Sequence, residues 1–123
     1  MYRQGDCLIV KATEGQLKRF GIWQSKTAKI QDGKYVLLEG ESSGHYHGVG
    51  VETCDYKELS WSPRDLFQGN AVGLLEVKKT SSLTHVGHHN SIEMAPGLYF
   101  VLRQREFDPG INEQGSMSRP VFD

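Results

Sequence analysis

A chain of 123 residues with a formal net charge of −1 has room for one domain with its own core, and its balanced charge excludes a broad basic face for nucleic acid. No stretch approaches the ~20 apolar residues of a membrane span. The polar start Met1-Tyr2-Arg3-Gln4-Gly5-Asp6 carries no targeting or lipidation motif, so a cytoplasmic protein is expected, with Cys7 and Cys54 as buried free thiols rather than a disulfide.

The chain shows no sustained 3.6-residue apolar period, and its short apolar runs are rich in Val, Ile, Tyr and Phe, which favours strands. Residues 7–12 (CLIVKA) read as a first strand and 20–23 as a weak second. Asp32-Gly33 is a hairpin signal that leads into a strand over 35–39. Residues 44–52 alternate, with His45, His47, Val49 and Val51 on one face and Tyr46, Gly48, Gly50 and Glu52 on the other. Residues 62–67 read as one helical turn, with Ser62 as the cap and Pro63 at the first helical position. Strands follow over 71–79 and 83–86, and 91–95 leads into Ala95-Pro96-Gly97-Leu98, the pattern of a type II turn. Residues 98–107 form the longest expected strand, ended by Asp108-Pro109-Gly110. The polar stretch 111–118 reads as a mobile loop, and 119–122 as a returning edge strand that tolerates Pro120. About seven to nine short strands joined by glycine turns point to an all-β fold. The expectation is one domain over 1–123, a small barrel or sandwich with at most one short helix and a pocket in its mouth.

All five histidines fall in two clusters, Gly44-His45-Tyr46-His47-Gly48 and Thr84-His85-Val86-Gly87-His88-His89-Asn90. Residues two apart on a strand share a face, so His45 and His47 offer two imidazoles side by side. His85 and His89 share a face if their segment is extended, and His88 then points away. The bland alternative for a single His-x-His is a pair of surface histidines. Segregation into two clusters favours a metal, and imidazole nitrogen suits zinc first, with iron, nickel or manganese as the other candidates.

His45-Tyr46-His47 followed by Glu52 gives His-x-His-x4-Glu, with Gly40 and Gly44 before it. This resembles the first motif of the cupins, which implies a small β-barrel holding a metal with Glu52 as a further ligand. Two features depart from the cupin pattern. Glu52 falls on the face opposite the histidines in a regular strand, and Pro96-Gly97 follows the second cluster instead of preceding it. Over most of its length the chain also looks like a family of small uncharacterised bacterial and phage proteins. The residues that carry this resemblance are Tyr2-Arg3-Gln4-Gly5-Asp6, Glu39-Gly40-Glu41, Gly44-His45-x-His47, His85-x-x-His88-His89, Pro96-Gly97-x-Tyr99 and Arg103-Gln104-Arg105-Glu106-Phe107-Asp108-Pro109. The resemblance implies no activity.

Glu39, Glu41 and Glu93 are either solvated strand-end charges or carboxylates beside a metal. Arg103 and Arg105 share one face of the last long strand, where they can clamp an anion or pair with neighbouring acids. No nucleophile motif, phosphate loop or dinucleotide fingerprint occurs. The sequence leads to a metal-binding β protein with His45, His47, His85 and His89 as ligands, His88, Glu39, Glu41 and Glu52 as further ligands or bases, and no assigned activity or substrate. The competing expectation is a non-enzymatic phage or mobile-element module that docks a protein or anionic partner through Arg103 and Arg105. Whether the chain is an enzyme, and whether it forms homo-oligomers, is left open by the sequence.

Overall fold

The computed structural model describes residues 1–20, 25–40, 44–60, 63–87 and 90–104. In chain order the elements are β1 (Tyr2–Gln4), β2 (Cys7–Lys11), α1 (Glu14–Phe20), β3 (Ser25–Thr27), β4 (Ile30–Gln31) and β5 (Lys34–Glu39). They continue with β6 (Tyr46–Gly50), β7 (Cys54–Leu59), a 3₁₀ turn at Phe67–Gly69, β8 (Ala71–Val77), β9 (Ser81–Val86), β10 (Asn90–Met94) and β11 (Gly97–Arg103).

The strands form two antiparallel sheets, one in the order β1-β2-β11-β8-β7-β3 and the other in the order β10-β9-β6-β5-β4. The period-two alternation of β2 and β11 explains the layering. Cys7, Ile9, Tyr99 and Val101 point into the space between the sheets, where Leu38, Val49, Leu83 and Met94 meet them from the other sheet. Leu8, Phe100 and Leu102 point outward, where Leu66 and Phe67 from the β7–β8 connection cover them. Each fully buried side chain of this kind contributes roughly 1.5–3 kcal/mol. The fold is all-β, but it is an open sandwich rather than a closed barrel. Among the described residues β1 pairs only with β2, β10 only with β9, β3 only with β7 and β4 only with β5, so no ladder joins the two sheets.

Turn chemistry sets the registers. Asp32 and Gly33 both have positive φ (51° and 74°), as a type I′ hairpin requires, and they join Gln31 to its partner Lys34. Gly5 has φ 58° at the first central position of the hairpin in which Gln4 pairs with Cys7. Within the expected helical turn over 62–67, Pro63 to Leu66 form one turn in which Leu66 N donates to the Pro63 carbonyl (3.1 Å), a 3₁₀ turn follows at Phe67–Gly69, and residues 61 and 62 are outside the described residues. The short α-helix lies elsewhere and starts with a reciprocal cap. Gln16 N donates to Thr13 Oγ1 (3.1 Å) and Thr13 N donates to Gln16 Oε1 (2.9 Å). No helix of the described residues is long and apolar enough to cross a membrane.

The chain changes sheet at every one of the connections β6–β7, β8–β9 and β10–β11, and these lie at one end of the sandwich. The β1–β2 hairpin lies at the opposite end, together with the ends of β5, β9 and β11 and the starts of β6 and β10. His45, His47 and His85 stand at this second end, called here the histidine end.

Candidate functional site

His47 lies on β6 two residues before Val49, a core residue, and the two-residue period therefore turns it inward. His85 stands in the same relation to Leu83 on β9. The antiparallel register makes the two histidines direct partners, and their rings stack with centroids 4.0 Å apart and planes 23° apart. Both are buried, His47 to 1% exposure.

The opposite sheet supplies the polar groups around them. Gln4, buried on β1, donates from its amide nitrogen to the Leu83 carbonyl (3.1 Å), and its amide oxygen lies 2.9 Å from His47 Nδ1. Asp6, at the tip of the β1–β2 hairpin, places Oδ1 3.3 Å from His47 Nε2. The alignment does not make a hydrogen bond, so both atoms are buried without such a partner. Burial pushes the Asp6 carboxyl up, but His47, the Arg103 guanidinium and its own backbone together outweigh this and hold it below its ordinary range. The hairpin is pinned from β11, because Gln104 N donates to the Asp6 carbonyl (2.9 Å) and Arg3 donates to Gln104 Oε1 (3.2 Å).

His45 precedes β6 and is half-buried, so the expected strand over 44–52 starts later than the sequence suggests. Its ring crosses Gly87, where a Cβ would lie 2.4 Å from the ring. Glycine is needed there for a second reason, since φ at Gly87 is 99°. Glu39 ends β5 with an exposed carboxylate 2.8 Å from Lys29 Nζ, and this contact lowers its pKa. Glu52 stands exposed in the turn after β6, beyond the end of the strand that lies away from the histidine end. The cupin-like spacing thus does not bring Glu52 to the histidines. Glu93 is exposed on β10.

Arg103 shares a face with Tyr99 and Val101, so it points between the sheets, and its guanidinium donates to the Glu39 carbonyl across the gap (3.3 Å). Beside it opens a cleft of about 380 Å³, lined by residues including Lys29, Val36, Leu38, Glu58, Val72 and Arg103, with His47 not among its described lining. Glu41, His88, His89 and Arg105 lie outside the described residues. Among the described residues no three His, Cys, Asp or Glu side chains gather closely enough to hold a metal ion.

Two members of this constellation, Gln4 and Asp6, are missing from the sequence-based candidates. The available signal was the two-residue Gly5-Asp6 hairpin, which places Asp6 at a tip and Gln4 on the same face as Tyr2. No curated protein and no solved structure matches the chain. A family model does match, over residues 3–104, and this span covers the whole constellation from Arg3 and Gln4 on β1 to Gln104 after β11. The chain belongs to that family, whose description is Domain of unknown function (DUF8820).

Proposed function

We propose that this domain binds one divalent transition-metal ion within the histidine end of its sandwich, and that the ion serves to hold the two sheets together. The observation that carries the reading is the pairing of His47 with His85. Two clusters far apart in sequence deliver buried, inward-facing imidazoles to the same point, and neutral imidazole is the commonest metal ligand. His45 stands at the rim, and His88 and His89 follow His85 in sequence as the remaining candidate ligands, with Glu41 in reserve. A nitrogen-rich donor set fits zinc first, then iron, nickel or manganese.

Burial supports a structural role over a catalytic one. A catalytic metal keeps a position open to substrate, whereas His47 is 1% exposed. Cys7 and Cys54 are buried and not joined in a disulfide, which fits a reducing compartment, in keeping with a cytoplasmic protein. The test is metal content and melting temperature of tag-free protein, before and after chelation and zinc return. About one ion per chain is expected. Zinc at roughly a hundred times its dissociation constant should stabilise by about 2.7 kcal/mol, which raises the melting temperature by about 10 °C. Substoichiometric metal, together with no thermal shift from zinc, iron, nickel or manganese, rejects the reading.

A further inference from the structure

The residues on either side of Gly5 turn His47 into one half of a cation site. The Leu83 carbonyl can only accept a hydrogen bond, so the Gln4 amide nitrogen has to face it. The Gln4 amide oxygen then faces His47 Nδ1, and Nδ1 has to carry the hydrogen. In the neutral ring the lone pair therefore sits on Nε2, which faces Asp6 Oδ1 at 3.3 Å. Both atoms are buried and neither makes a hydrogen bond. Two lone-pair atoms facing each other out of water repel unless a cation lies between them. Two ligand atoms held by a tetrahedral zinc, with bonds of about 2.0–2.1 Å, lie about 3.3 Å apart.

Resting on the metal reading above, we infer that Asp6 Oδ1 and His47 Nε2 are two ligands of that ion, one from each sheet, and that Gln4 is the positioning residue that fixes the His47 tautomer. Gln4 takes the part usually played by a carbonyl or carboxylate at the outer nitrogen of a metal-binding histidine. The hydrogen bond from Gln104 N to the Asp6 carbonyl holds the carboxylate-bearing turn against β11. The ion joins the β1–β2 hairpin to β6, and among the described residues no strand pairing does this.

The competing cation is a proton, which would make the ring an imidazolium. The probe that separates the two is zinc itself, added to the full chain after chelator treatment. Long-range ¹H–¹⁵N spectra of the wild-type protein should then show His47 with Nδ1 protonated and Nε2 metal-bound. Competition against a chromophoric chelator should show Gln4→Ala weakening zinc binding by about 10–100-fold, and Asp6→Asn weakening it by about a hundredfold or more. Equal zinc affinity in wild type and Asp6→Asn, or a hydrogen still on Nε2 in zinc-loaded protein, overturns the assignment and leaves the metal reading standing. A wild-type chain that takes up no zinc overturns both. The spectra need no variant, so a poorly folded Asp6→Asn still leaves the question decided.

Discussion

Tyr56→Phe should make this protein more stable. The Tyr56 side chain is 2% exposed, lies in the core between the sheets, and has a hydroxyl with no hydrogen-bond partner. Burial pushes its ionisation far above the usual tyrosine range, so the neutral O–H is the species to account for. Leaving such a group unsatisfied costs about 1–3 kcal/mol. Deleting the oxygen removes that cost and forfeits only a few dispersion contacts, each about 0.1–0.2 kcal/mol. A net gain of about 1 kcal/mol follows, read as a higher urea midpoint at unchanged m-value and a melting temperature raised by about 3–5 °C. A loss of about 1 kcal/mol or more in Tyr56→Phe would refute the reasoning, because it would mean that the hydroxyl has a partner such as an ordered water. Gly73→Ala is the complementary change. Its Cβ would meet the Tyr56 hydroxyl at 2.1 Å and the ring at 2.3 Å, so a cost of at least about 1–3 kcal/mol is expected from overpacking.

Three further outcomes are expected. Cys7 and Cys54 are buried and not disulfide-bonded, so alkylation without reductant should label both thiols once the chain is unfolded and neither while it is folded; thiols that appear only after reduction would contradict this. Gly87→Ala should cost about 1–3 kcal/mol in chemical denaturation, since its Cβ meets the His45 ring and its φ of 99° disfavours a side chain; a cost below about 0.5 kcal/mol would show that the ring moves aside freely. Asp6 in the metal-free protein has a pKa held below its ordinary value of 3.8, so its contribution to stability is present above that pH and is lost as pH falls through the lowered value. Asp6→Asn should flatten the acid limb of the stability curve, and superimposable acid limbs for variant and wild type would remove Asp6 from acid sensitivity.

Local chemistry made much of the fold legible. The Asp32-Gly33 signal marks a true two-residue hairpin, and the apolar runs at 7–12, 35–39 and 71–79 each contain a strand. Helix α1 escaped because seven residues are too few to show a 3.6-residue period, although Thr13-x-x-Gln16 is a readable capping box. β1 is three residues long and has no apolar run to mark it. At the site, the inward facing of His47 and His85 follows from alternation along each strand, and their meeting follows from a register that neither segment shows alone. Glu52 illustrates the opposite case, where motif spacing suggested a ligand and a sharp turn after Gly50 carried the residue away. Gln4 and Asp6 stayed hidden because their importance depends on a hairpin of one sheet lying against a strand of the other. That is a non-local fact, which residue spacing does not encode.

The place of β11 in the six-stranded sheet has a consequence for how the chain is made. It is the last strand of the described residues, yet it lies between β2 and β8 and pairs with both. Until residues 97–103 leave the ribosome, β1–β2 and β8–β7–β3 are two separate fragments with exposed pairing edges. Pairing β2 with β11 therefore closes a loop that spans most of the described residues, and long-range pairing of this kind slows folding. A nascent chain stopped just before Gly97 would present those edges to other chains. Any cellular stall there would favour intermolecular strand pairing over a partly folded monomer.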